Sequence, residues 1–134
     1  MELQVQPKGS SYCGQYALSM ALGEDVERIF VELGKSEEGT TYAQYVKALN
    51  NRGIPHHNNE WPDNRRRIDI SGRGVLSITN RARNTGHAMA FNDGKIYDPA
   101  GRIFDSIADM KAYLKPYYRG GVKVFSVITI LDKD

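Results

Sequence analysis

Apolar positions in the first half of the chain recur three and four residues apart, which is the spacing of α-helices. They predict three helices, which begin at Cys13, Val26 and Tyr42 and end at Gly23, Gly34 and Gly53. The first of these is apolar around nearly its whole circumference, so we expect it to lie in the interior. Its expected cap is Ser10 or Ser11, and that of the third helix is Thr40 or Thr41.

The second half of the chain has the pattern of strands. Residues 54–67, IPHHNNEWPDNRRR, lack a period and contain two prolines, which is typical of a surface connection. RIDI (67–70) and GVLSIT (74–79) then have strand composition, and HAMAFNDGKIYDP (87–99) predicts two strands joined by an Asp-Gly turn. A helix from Ser106 to Pro116 and a buried strand over 122–131 complete the chain.

Helices followed by hairpin-linked strands predict an α+β fold, with an N-terminal helical layer packed on an antiparallel sheet. The length of 134 residues and the 40% hydrophobic content predict one domain, 1–134. The net charge of +2 arises from 18 basic and 16 acidic residues, a balance that does not indicate a nucleic-acid partner. Neither a membrane span nor a signal peptide is recognisable, so we expect a cytoplasmic protein, or one delivered into a target cell without a cleaved signal.

The chain contains one cysteine, Cys13, in SSYCGQYALSMALG. Free cysteines are among the most buried residues, and the apolar helix favours a core thiol. A helix N-terminus also stabilises a thiolate, and Gly14 lets a substrate approach the sulfur closely. The choice between core thiol and nucleophile therefore depends on a nearby base.

His87 is the candidate base, because it opens an apolar strand where an imidazole needs a polar partner. If the turn at Asp93-Gly94 has two residues, Phe91 faces Ile96, and His87 and Asp98 become diagonal neighbours on one face. A carboxylate in that position orients the imidazole as in a catalytic triad. A purely structural His–Asp hydrogen bond is the alternative.

Other polar residues carry weaker signals. His56 and His57 lie in the polar segment, and with Cys13 and His87 they lack the spacing of metal ligands, so neither a metal nor a cofactor is expected. The arginines between the polar segment and the hairpin are interpreted as a solvated face: Arg65, Arg66, Arg67, Arg73, Arg81 and Arg83. Trp61 is expected to pin its own loop to the core.

CGQYALSMALG followed by GHAMAFNDGKIYDPAG resembles the papain-like cysteine peptidases, and most closely the small bacterial double-glycine leader peptidases. The resemblance implies a papain-like fold with the Cys-bearing helix at its centre. It implies Cys13 as nucleophile, His87 as general base and acid, and Asp98 as the residue that orients the imidazole. It also implies an oxyanion glutamine, for which Gln6 is the candidate, one position farther from Cys13 than is usual, with Gln4 farther still.

The implied activity is cleavage of a peptide or isopeptide bond in a protein or peptide substrate, through a covalent thioester. The same three residues also suit a toxin-type deamidase, a transglutaminase or an acyltransferase. An inactive binding module with a buried Cys13 is the alternative outside enzymes. The sequence does not specify the substrate or the oligomeric state.

Overall fold

The computed structural model describes residues 1–34, 40–60, 62, 68–80, 85–118 and 121–131. Within these ranges the helices are α1 (Cys13–Leu22), α2 (Val26–Leu33), α3 (Tyr42–Asn51) and α4 (Ile107–Leu114), with a 3₁₀ turn over Lys115–Tyr117. The strands are β1 (His56–Glu60), β2 (Arg73–Asn80), β3 (Thr85–Asn92), β4 (Lys95–Asp98), β5 (Arg102–Phe104) and β6 (Lys123–Ile130). None of the helices described is long and apolar enough to cross a membrane.

The predicted helices are confirmed, and their ends have clear physical causes. Gly23 takes a left-handed conformation (φ 68°) that terminates α1, and most of that helix is buried. Thr41 caps α3 in a capping box with Gln44. The predicted serine cap of α1 is wrong: Tyr12 precedes the helix and makes no side-chain cap, while the Ser10 hydroxyl accepts a hydrogen bond from Gln6.

The strands form one six-stranded sheet in the order β1-β6-β2-β3-β4-β5, and every neighbouring pair is antiparallel. Apolar residues of α1, α2 and α3 pack on one face of this sheet. Residues of α4 pack with those on the other face. The α+β prediction, with an N-terminal helical layer on an antiparallel sheet, is confirmed.

The hairpin of β3 and β4 has the predicted register, with Phe91 opposite Ile96. Asp93 (φ 57°) and Gly94 (φ 87°) both take left-handed conformations, as a two-residue hairpin turn requires. The alternation along β3 and β4 therefore follows the sequence pattern.

Two sequence interpretations fail around the sheet, and one strand was not predicted. His56–Glu60 form edge strand β1 rather than an irregular connection, because backbone pairing with β6 needs no apolar period on an exposed edge. Residues 68–70, for which the sequence predicted a strand, are irregular, and the Ile70 carbonyl accepts a hydrogen bond from the turn residue Gly94. Strand β5 was not predicted, because three residues are too few to show a period.

Several residues singled out in the sequence lie outside the described residues. They are Trp61, Arg65, Arg66, Arg67, Arg81 and Arg83.

Candidate active site

Cys13 is the first residue of α1, and its free thiol is half-buried at the edge of the helical layer. The rest of the helix buries small and apolar side chains against the sheet, among them Ala17, Leu18 and Ala21. The apolar helix body thus anchors the first turn and sets the position of the sulfur.

The hairpin supplies the other two residues of the site. The His87 ring nitrogen Nε2 lies 2.6 Å from Asp98 Oδ1. The Asp98 side chain is only 4% exposed, and the same oxygen accepts the backbone N–H of Ala100 at 2.9 Å. A carboxylate held by its own turn therefore orients the imidazole, and it leaves Nδ1 to face Cys13.

Cys13 and His87 line the same cavity, and their interaction changes the protonation of both. Burial acts to raise the pKa of Cys13, but the hydrogen bond and charge of His87, with the backbone N–H groups of Ala88 and Gly14, lower it below its ordinary value. Burial acts to lower the pKa of His87, whereas Asp98 and then Cys13 raise it to about 10. The favoured state is a thiolate beside an imidazolium, which suits nucleophilic acyl transfer.

Tyr118 is a further side chain close to this charged group. Burial, followed by the negative charges of Asp98 and Cys13, raises the pKa of its hydroxyl. The neutral phenol therefore persists beside the carboxylate across the physiological pH range.

The structure separates the two glutamines considered for the oxyanion. The backbone N–H of Gln4 donates to Met20 Sδ. Met20 is seven residues after Cys13 in α1, so Gln4 lies beside a part of the helix about 10 Å from its start. Gln6 lies nearer the site, because its backbone N–H donates to the Pro99 carbonyl at 2.8 Å. Its side-chain amide donates to the Ser10 carbonyl and hydroxyl at 2.7 and 3.2 Å, and must turn away from Ser10 to serve an oxyanion.

His56 and His57 are not part of this group. They lie on edge strand β1, separated from β3 by two strands, and the His56 ring nitrogens pair with Asn58 and Asn50. Among the described residues, no cluster of three His, Cys, Asp or Glu side chains suits a metal ion.

A cavity of about 140 Å³ adjoins the thiol, and sequence reasoning missed most of its walls. Its lining includes Cys13, Thr40, Tyr45, Ser77, Ala88 and Phe125. The sequence pattern indicates Thr40 only as a helix cap and Tyr45 only as part of an apolar stripe. Two adjacent threonines, Thr40 and Thr41, precede α3, and only one of them can cap it. The sequence therefore indicates that the other threonine has a different role.

No protein-family model and no curated protein sequence matches the chain significantly. A solved structure that does match is a double-glycine-motif protease from an AMS/PCAT transporter, crystallised in complex with the leader peptide. The two share 19% sequence identity with a TM-score of 0.53, over 96% of this chain and 93% of that one. This chain has the papain-like fold. The resemblance noted in the sequence motifs therefore extends to the course of the backbone.

Proposed function

We propose that the protein is a papain-like cysteine peptidase, formed by residues 1–134 as one domain, in which Cys13, His87 and Asp98 are the catalytic residues. The observation that carries this proposal is the position of His87, which pairs with Asp98 at 2.6 Å and lines one cavity with the thiol of Cys13. Similarity to a protease fold supports hydrolase activity, and the leader peptide bound to that protease supports a peptide substrate.

In the first half-reaction, the Cys13 thiolate attacks the carbonyl carbon of the scissile bond. The oxyanion is held by backbone N–H groups in the first turn of α1, and by the Gln6 amide if it turns from Ser10. His87 then gives its Nδ1 proton to the leaving amine as the C–N bond breaks. The acyl group remains on Cys13 as a thioester.

In the second half-reaction, neutral His87 takes a proton from water, and the resulting hydroxide attacks the thioester carbonyl. The C–S bond breaks, the carboxylic acid leaves, and the thiolate–imidazolium pair forms again. Asp98 keeps its charge throughout and stabilises the imidazolium in both steps.

Labelling with iodoacetamide tests the ion pair. At pH 5.5, the wild-type thiol is expected to react at least about 10-fold faster than an ordinary cysteine, because a thiolate persists there. His87→Ala should abolish this excess, while the distant His56→Ala retains it. Equal rates for wild type and His87→Ala would refute the ion pair.

Incubation with a peptide library tests the reaction, with Cys13→Ala as the matched inactive variant. New peptide termini that depend on Cys13 are the expected products. A Gln-to-Glu mass change would instead indicate a deamidase, and a mass gain from an added amine would indicate a transglutaminase or acyltransferase. Products that survive in Cys13→Ala would contradict the mechanism.

A further inference from the structure

The cavity beside Cys13 owes its space to small side chains on two neighbouring strands. Ser77 on β2 pairs with Ala88 on β3, and each of these residues is only 5% exposed. Larger residues at these positions would fill the space under the first turn of α1. Ser77 and Ala88 therefore form the floor of a recess of about 140 Å³, a volume that accepts a group of roughly benzene size.

A β-bulge supplies one wall of this recess. The register between β2 and β6 shifts after Ser77: Ser77 pairs with Ser126 and Ile78 with Val124. Phe125 lies at this shift and lines the cavity. Bulges redirect side chains in this way and are common next to active sites. The lining of the recess thus combines an apolar ring with the hydroxyl groups of Thr40 and Tyr45.

The hydroxyl-bearing wall contains a buried tyrosine hydroxyl that is short of hydrogen bonds. Tyr45 is 1% exposed, and among the described residues its hydroxyl interacts with the Thr40 hydroxyl but makes no hydrogen bond of good geometry. The hydroxyl lies so close to Gly14 that a Cβ there would overlap it, with Thr40 Oγ1 at 2.7 Å from the same position. An unsatisfied buried hydroxyl is costly, and a ligand atom that pairs with it recovers that cost.

We propose that this recess is a specificity subsite for an uncharged, hydrogen-bonding substrate side chain, and that Thr40 and Tyr45 determine the specificity. The assignment rests on the proposed peptidase function. Within this proposal, we place the bound side chain on one of the last two residues of the acyl fragment, which stays on Cys13 until the second half-reaction releases it.

Other side chains fit the recess less well. The described residues that line it include no carboxylate, ammonium or guanidinium group, so a charged side chain finds no opposite charge beyond the Cys13–His87 pair. A large apolar side chain leaves the Tyr45 hydroxyl unpaired, and glycine leaves the space empty. Glutamine, asparagine, serine and threonine combine the size with the hydrogen bond.

Peptide vinyl methyl esters, which label Cys13 covalently, test the subsite without knowledge of the natural substrate. The probes are acetyl-Ala-X and acetyl-X-Gly esters with X as Gln, Asn, Gly, Leu or Glu, and the labelling rate is followed by mass spectrometry. In one of the two series, the Gln or Asn probe is expected to react at least about 5-fold faster than the Gly, Leu and Glu probes, the effect of one hydrogen bond. Tyr45→Phe or Thr40→Val should reduce this ratio, and Tyr42→Phe, on the same helix but outside the recess, should keep it.

The ratio between probes is compared within each variant, so a change in overall reactivity does not affect it. Equal rates across both series, a preference for Gly or Leu, or an unchanged ratio in both Tyr45→Phe and Thr40→Val would overturn the subsite. Labelling with iodoacetamide distinguishes a failure of the subsite from a failure of the peptidase function. Fast iodoacetamide labelling with an unselective probe series overturns the subsite alone, whereas labelling at the rate of an ordinary thiol overturns the peptidase function and the subsite together.

Discussion

Replacement of Asp98 with asparagine tests how much of the Cys13 activation comes from charge. Both hydrogen bonds to this side chain, from His87 and from the Ala100 N–H, end on the single oxygen Oδ1. Asparagine keeps an acceptor oxygen at that position and nearly the same volume. The substitution therefore removes the negative charge while it preserves the geometry.

The expected magnitude follows from the position of the carboxylate. Asp98 lies 2.6 Å from His87 Nε2 and is almost fully buried, so solvent screens the interaction little. A hydrogen bond to a charged group contributes about 2 kcal/mol, which corresponds to roughly a 30-fold change in an equilibrium constant. At pH values below the Cys13 pKa, the thiolate fraction is expected to fall by about this factor, because its imidazolium partner is less stable.

The assay is the iodoacetamide labelling rate of Cys13, measured by mass spectrometry from pH 3.5 to 9. The acid limb of the Asp98→Asn profile should move to higher pH, and the rates should converge with wild type at alkaline pH, where both thiols ionise. Asp105→Asn, which removes an exposed carboxylate, is the control and should leave the profile in place. Acid-limb rates for Asp98→Asn within about 3-fold of wild type would refute the reasoning.

Two further predictions concern the titration of His87 and the close packing around Gly14. Because Cys13 is one of the groups that raise the pKa of His87, Cys13→Ala should bring the NMR titration midpoint of that imidazole below about 10, and an unchanged midpoint would exclude the coupling. Gly14→Ala should lower the free energy of unfolding in urea by about 2 kcal/mol, since its Cβ would overlap the Tyr45 hydroxyl. Gly86→Ala, whose Cβ meets only ordinary contacts, is the control, and equal stability of the two variants would contradict this account.

The sequence predicted those features that depend on local pattern. The Asp-Gly turn determined the hairpin register, and the register brought His87 and Asp98 together. Glycines marked the ends of the first two helices. The helical spacing of the apolar residues identified the layer that carries Cys13.

Features that depend on distant partners were not predictable in the same way. Strand β1 is polar because one edge and one face are exposed, so its identity as a strand comes from its pairing with β6. The recess beside Cys13 requires the bulge at Phe125, a residue that looks like any other in an alternating strand. Its position depends on how two adjacent strands align, and a single sequence does not show that alignment.

The thiol and its base belong to different layers of the fold. Cys13 is carried by a helix of the N-terminal layer, whereas His87 and Asp98 are carried by one hairpin of the sheet. Separation of the layers by a few ångströms would leave the His87–Asp98 bond intact and return the sulfur to an ordinary, protonated thiol. In the proposed mechanism, the activated thiolate is therefore a product of completed folding. A newly synthesised or partly unfolded chain is expected to carry an ordinary thiol, and the reactivity of Cys13 in acid then reports whether helix and sheet have docked.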